Sequence, residues 1–166
     1  MTELSIKHFK FDAAQSFDSP IGVCTVYSQD EQIVHLDITE TGRPAVGRSK
    51  VLALAEKQLK QYFAGKRTDF DVPIRMTGTE FQAAVWRMVS EIPFGEVLSY
   101  GQIANAVGKP MASRAVGAAV GANPVPILTG CHRVLGSSGT VTGFSAGAGI
   151  PTKKWLLDHE GIAYRD

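Results

Sequence analysis

Cysteine is scarce in these 166 residues: only Cys24 and Cys131 occur, far apart in the chain. So low a count excludes a disulfide-stapled scaffold, and the four histidines fall at no spacing that would complete a zinc cluster. No apolar run approaches the length of a membrane-spanning helix. The opening stretch, Met1 to Lys10, lacks the apolar core of a signal peptide, so a cytoplasmic protein with reduced thiols is expected. No proline- or serine-rich tract is long enough to form a tail. An excess of charge is missing too: 17 Lys+Arg against 16 Asp+Glu leave a formal net charge of +1. Residues 1–75 hold 10 basic and 10 acidic side chains, and residues 76–166 hold 7 and 6. Neither half is the polycation of bulk nucleic-acid capture, so any nucleic-acid contact must be local.

What is present suffices for a core. Hydrophobic residues make up 44% of the chain and charged residues 20%, which fits one ordinary domain or two small ones. In the first half, Gly22 to Ser28 and Gln32 to Thr39 are rich in strand formers and read as a hairpin turning at Ser28 to Glu31. Gly42 to Gly47 reads as loop. Leu52, Ala55, Leu59, Tyr62 and Phe63 recur at helical spacing, predicting a helix over Lys50 to Phe63 with Gly65 as its stop. Phe70 to Ile74 is extended, either an edge strand or a linker between halves.

The second half changes character. Thr79-Glu80-Phe81-Gln82 fits a capping box, and the stripe Phe81, Val85, Met88, Val89, Ile92 predicts a helix ended by Pro93. Ser99-Tyr100-Gly101-Gln102 is a second capping box, opening a short helix that Gly108 stops. A further helix is predicted from Pro110 to Ala122. The two short helices around Gly108-Lys109-Pro110 suggest a helix-turn-helix. The second of them is built from small residues, Ala112, Ser113, Ala115, Gly117, Ala118, Ala119 and Gly121, with Arg114 as its only charge. Two readings stay open: small residues permit close helix packing, or a thin face lies against a nucleic-acid groove while Arg114 enters the base stack. The fold class is therefore α/β (α+β): a small N-terminal sheet-plus-helix domain, residues 1–75, then a mostly helical C-terminal domain with a helix-turn-helix, residues 76–166.

The segment Asn123-Pro-Val-Pro-Ile-Leu-Thr-Gly-Cys131-His132-Arg133-Val134 carries the chemistry. Two prolines stiffen the approach to a thiol flanked by an imidazole and a guanidinium. A free thiol of pKa ~8.5 is only a few per cent thiolate at neutral pH, and a neighbouring base or positive charge raises that fraction. Cys24 lies in a strand pattern and reads as a small core residue. Trp86 and Trp155 read as packing residues on helical stripes.

From Thr79 to Gly161 the chain resembles the O6-alkylguanine-DNA alkyltransferases, the methylated-DNA–protein-cysteine methyltransferases. The segments that carry the resemblance are Phe94-Gly-Glu-Val-Leu-Ser-Tyr100, Ser113-Arg-Ala-Val-Gly117, Asn123 to Leu128, Cys131-His-Arg-Val134, Gly136-Ser-Ser-Gly139, Gly143-Phe-Ser-Ala-Gly147 and Lys154 to Glu160. The first half resembles the family only loosely, in Asp18 to Gly22 and Leu59 to Gly65. The resemblance implies DNA repair by direct reversal. An O6-alkylguanine (and by extension an O4-alkylthymine) is flipped from duplex DNA, and Cys131 takes its alkyl group irreversibly, once per molecule. It implies no metal or organic cofactor, double-stranded DNA as partner, no membrane, and a monomer. It assigns His132 as the base acting on the thiol through a water, Glu160 as its orienting carboxylate and Asn123 as the clamp of the preceding turn. Tyr100 is implied to rotate the nucleotide and protonate the leaving base. Arg114 corresponds to the intercalating arginine, on a helix that meets the minor groove with Ala112, Ser113, Gly117 and Val120, beside Tyr100. Val134 and the loop from Val141 through Phe144 to Ser145 are implied to line the base pocket, with Ser145 at the O6 position.

One departure stands next to the nucleophile. The family pattern has proline before the cysteine, whereas this chain has Gly130, which frees φ and adds an amide donor. A looser loop predicts slower transfer or an altered alkyl preference. Phe144 stands where tyrosine is frequent, and Ala146 to Thr152 resembles a longer bacterial-type loop. Three other readings compete: a lesion sensor of the same fold, which would lack the acceptor cysteine; a thiol hydrolase, which would need an oxyanion pocket; and a sequence-specific regulator, which would leave Cys131 without a role.

Overall fold

The computed structural model describes residues 4–6 and 9–166, and the chain divides into two compact units, Met1–Met76 and Thr77–Asp166.

In the first unit, β1 (Leu4–Ile6) pairs antiparallel with β2 (Phe9–Phe11). A separate antiparallel sheet runs in the order β3 (Ala13–Ser19), β4 (Gly22–Gln29), β5 (Gln32–Thr39). The β4–β5 hairpin turns at Asp30 (φ 52°) and Glu31 (φ 57°), both left-handed, as the mirror-image two-residue turn requires. β3 was not anticipated. Its sequence, AAQSFDS, has little strand propensity, and seven pairs with β4, from Ala13↔Ser28 to Ser19↔Gly22, hold it in place.

Helix α1 (Lys50–Phe63) starts at Ser49, whose side chain accepts from Leu52 N, and lays Leu52, Ala55 and Leu59 into the core against the three strands. It ends as Gly65 predicts: Gly65 (φ 76°) donates to Tyr62 O, and Lys66 N reaches back to Gln61 O at 2.8 Å. The Phe70–Ile74 stretch pairs only at its end, with Ile33 N donating to Pro73 O at 2.8 Å and Arg75 N to Ile33 O at 2.9 Å. Cys24 is fully buried, and burial pushes its thiol up to about 11 against an opposing hydrogen bond from Ser19.

The second unit is mostly helical. Both capping boxes form: Thr79 with Gln82 opens α2 (Glu80–Ser90), and Ser99 with Gln102 opens α3 (Tyr100–Ala106). Gly108 (φ 78°) closes α3 with Gly108 N on Asn105 O at 3.0 Å and Lys109 N on Ala104 O at 2.9 Å. Helix α4 (Ser113–Gly121) begins three residues later than Pro110, because Lys109 to Ala112 form a turn, with Ala112 N on Lys109 O at 2.9 Å. The close-packing reading of α4 holds on one face. Val116, Ala119 and Val120 pack with α2 and α3, while Arg114, Ala115 and Ala118 are exposed. Trp86 on α2 is buried and donates its Nε1 hydrogen to Ala119 O at 2.8 Å. A parallel pair, β6 (Leu98–Ser99) with β7 (Val134–Leu135), joins the start of α3 to the segment after Cys131. Helix α5 (Ile150–His159) closes the unit. Among the described residues no helix is long and apolar enough to cross a membrane.

Candidate active site

The chain leaves α4 through a rigid loop. Asn123 is buried; its Oδ1 accepts from Val125 N at 2.8 Å and its Nδ2 donates to Thr129 Oγ1 at 2.9 Å, so one side chain ties both ends of the loop. Within that loop Leu128 N reaches Pro126 O at 2.8 Å across Ile127, which is held at φ 70°. A buried β-branched residue in that region stores about 1–3 kcal/mol of strain, and such strain clusters at functional sites. Gly130 follows at φ 76°, ψ 21°. This conformation is closed to proline, whose φ is fixed near −65°. A Cβ there would also lie 3.1 Å from Arg133 Nη1 and 3.3 Å from Val89 O. Gly130 therefore sits in a left-handed and crowded place that suits glycine alone.

Cys131, His132 and Arg133 then form a single 3-10 turn rather than a strand. All three are buried, His132 completely. His132 Nε2 lies 2.6 Å from Glu160 Oε2, and Arg133 forks onto the same carboxylate, Nε to Oε1 at 2.8 Å and Nη2 to Oε2 at 2.9 Å. Glu160 Oε1 also accepts from Gly95 N at 3.0 Å. Glu160 follows α5 as its cap and is buried, not carried on a solvated face. His159, its neighbour, is half-buried and stacks on Trp155 at 4.9 Å.

Burial pushes the Cys131 thiol up to about 11, opposed by a backbone hydrogen bond from Ile127 and by the charges of Lys153 and Arg133. At pH 7 such a thiol is ionised to about one part in ten thousand, so it is inert until a base takes its proton. Burial also lowers the basicity of His132, and its hydrogen bond and charge contact with Glu160 pull the other way. The imidazole is thus a neutral base paired to a carboxylate.

Cys131 borders a cavity of about 490 Å³. Tyr100 stands on one side, Ser113, Arg114, Gly117, Val120 and Gly121 of α4 on another, and Thr142 to Ser145 close the third. A pocket of this size takes a nucleobase-sized ligand. Phe144 and Ser145, expected in the pocket, line the cavity, and so do Tyr100, Ser113, Arg114, Gly117 and Val120, which were expected at the DNA face. Ala112 caps α4 without touching the cavity. Val134 and Val141 are not at its wall, a correction to the expected pocket. Val134 is fully buried among Cys131 and the α2–α4 core, and Val141 packs with Leu135, Leu157 and Ile162, so both side chains turn inward. Ser145 Oγ donates to Gly121 O at 2.6 Å, and Thr142 Oγ1 reaches Tyr100 Oη at 3.3 Å.

Lys153 went unnoticed in the sequence. It is buried in α5, where its Nζ donates to Val134 O at 2.6 Å and to Gly143 O at 3.1 Å and lies 5.9 Å from the Tyr100 ring. It thereby pins the segment after Cys131 to the pocket loop. Burial lowers its ammonium to about 8, with the Cys131 charge opposing. The available signal was a lysine at a position that Leu156 and Leu157 mark as inward-facing three and four residues on.

Residues 80–162 match the family model for the 6-O-methylguanine DNA methyltransferase DNA binding domain, and residues 14–76 match that for the ribonuclease-like domain of the same methyltransferase. A methylated-DNA–protein-cysteine methyltransferase of Mycolicibacterium paratuberculosis is 43% identical over 148 residues, 86% of this chain and 88% of the relative. One from Methanosarcina acetivorans is 40% identical over 151 residues, 87% and 96% of the two chains. The crystal structure of Mycobacterium tuberculosis OGT in complex with DNA superposes with a TM-score of 0.80 at 43% identity, over 89% of this chain and 91% of that one.

Proposed function

The chain belongs to the 6-O-methylguanine DNA methyltransferase family, and on that premise we propose that it repairs O6-alkylguanine in duplex DNA by taking the alkyl group onto Cys131, once per molecule. Membership makes it a DNA-binding repair enzyme of the methylated-DNA–protein-cysteine methyltransferase class. The observation that carries the finer reading is the position of Cys131. It borders a base-sized cavity, with the His132–Glu160 pair beside it in sequence or contact and the exposed Arg114 at the rim.

The chemistry follows from these positions. The target base leaves the stack for the cavity, and Arg114 fills the gap, offsetting part of the few kcal/mol that unstacking costs. His132, through Nδ1, takes the thiol proton by way of a water, while Glu160 holds the ring by Nε2 and stabilises the imidazolium. The sulfur attacks the alkyl carbon in line. The S–C bond forms as the C–O6 bond breaks, and the bonding pair leaves with guanine. Tyr100 supplies the proton that the departing base needs. The thioether has no leaving group of comparable quality, so the protein is spent. O4-alkylthymine presents the same alkyl–oxygen bond and is a second substrate of the same step.

The test is Cys131→Ser with an O6-methylguanine duplex. The variant is expected to bind the lesion duplex as wild type does and to transfer no methyl group. Methyl transfer by the serine variant would refute the assignment.

A further inference from the structure

Glu160 is shared among an imidazole, a guanidinium and the Gly95 amide. His132 donates one hydrogen bond to it, and Arg133 holds both of its oxygens at 2.8 and 2.9 Å. These groups are buried together. Arg133 is itself fixed, with Nη1 on Ile92 O at 2.7 Å and its guanidinium 6.0 Å from the Phe94 ring.

The sharing matters for the proton. Burial disfavours the charged imidazole, and a carboxylate beside it pulls the other way, toward the imidazolium. An imidazolium carries hydrogen on both ring nitrogens and has no lone pair left to accept a proton. A guanidinium never loses its charge in a protein, and a bidentate fork sets that charge against the carboxylate at hydrogen-bond range.

We propose that Arg133 is a positioning residue that sets the proton state of His132: by claiming the charge of Glu160 it holds the imidazole neutral, with hydrogen on Nε2 and with Nδ1 free for the thiol proton of Cys131. The proposal rests on the reading of Cys131 as the alkyl acceptor. It agrees with Nδ1 of His132 being buried without a hydrogen-bond partner among the described residues. The other charged group acting on His132 is Lys153 from α5, which presses toward the same neutral state. Without the guanidinium, Glu160 would pull the imidazole further toward the protonated form, which has no lone pair for the thiol proton.

The test reads ring-nitrogen NMR of His132 in unreacted protein without DNA. Wild type is expected to show a neutral ring with hydrogen on Nε2 at pH 7, and an imidazolium there would overturn the proposal. Arg133→Gln leaves Glu160 unshared, so the His132 midpoint is expected to rise by about one unit or more, and the acid limb of the transfer rate should move with it. Arg133→Lys keeps the charge and should keep the wild-type midpoint. Because Arg133→Gln buries an uncompensated carboxylate and risks unfolding, the double variant Arg133→Gln with Glu160→Gln supplies an independent arm. Both charges leave together, so its midpoint should stay within about half a unit of wild type. A midpoint that falls as far in the double variant as in Glu160→Gln alone, or an unmoved midpoint in folded Arg133→Gln, would overturn the proposal. The NMR midpoints need no alkyl transfer, so failure of Cys131 as acceptor would be seen separately, in the transfer rate alone.

Discussion

Gly130→Ala asks whether the backbone before the nucleophile is held as tightly as its contacts imply. The substitution places a side chain at φ 76°, where any residue but glycine costs about 1–2 kcal/mol. The new Cβ would meet Arg133 Nη1 at 3.1 Å and Val89 O at 3.3 Å. Neither gives easily, since Val89 O belongs to α2 and Nη1 is bound to Ile92 O. A loss of about 2 kcal/mol corresponds to a Tm lower by about 4–8 °C for a chain of this length. Gly139→Ala is the matched control: φ is 81° and nothing lies within 4 Å, so it incurs the conformational part alone. The activities should separate further. Cys131 follows Gly130 directly, and a displacement of about 1 Å at a reacting group can cost about a hundredfold. Single-turnover transfer is expected to slow at least about tenfold in Gly130→Ala and to stay at the wild-type rate in Gly139→Ala. Circular dichroism melts and rapid-quench transfer to an O6-methylguanine duplex measure both quantities. A Gly130→Ala protein with the wild-type Tm and rate would refute the strain argument. Gly130→Pro, although it restores the family's usual residue, is expected to lose more, because proline cannot adopt this φ at all.

Other consequences can be read as directly. Arg114→Ala should slow repair of duplex DNA by about tenfold to a hundredfold, the equivalent of part of the unstacking cost, and leave reaction with the free alkylated nucleoside unchanged; equal losses would count against base flipping. Cys131 ionises near 11 when folded against an ordinary value of 9.0, so below pH 9 its iodoacetamide rate should be about a hundredfold under that of an exposed thiol and still be climbing at pH 10. A plateau at pH 9 would contradict this. Lys153 releases its proton near 8 in the fold and near 10.5 when unfolded. The unfolded chain therefore binds more protons between those values, and wild type should gain stability relative to Lys153→Met as pH rises through that window. Urea titrations at pH 7 and pH 9.5 that show a constant difference would remove Lys153 from the buried site.

Local rules made much of the fold legible. Thr79 with Gln82 and Ser99 with Gln102 announce two helices, because a hydroxyl and an amide three residues apart satisfy free backbone donors, and Gly65 and Gly108 announce two helix ends. What depended on distant partners was not legible. β3 owes its conformation to β4, and α4 starts at Ser113 because Lys109 to Ala112 close a turn. The site divides in the same way. Cys131, His132 and Arg133 advertise themselves by adjacency. The inward turn of Glu160 and the pinning of the pocket loop by Lys153 need the packing of α5 against the 3-10 turn and β7. Val134 and Val141 were implied for the pocket by resemblance alone, which does not fix the side of the backbone a side chain takes, and both turn into the core.

The most direct test of the account is intact-protein mass spectrometry after incubation with excess O6-methylguanine duplex, followed by peptide mapping. The account predicts a gain of one methyl group per chain, confined to Cys131, that does not increase with time or with fresh DNA. Repaired DNA in excess of protein, or a methyl group on any other residue, would contradict it.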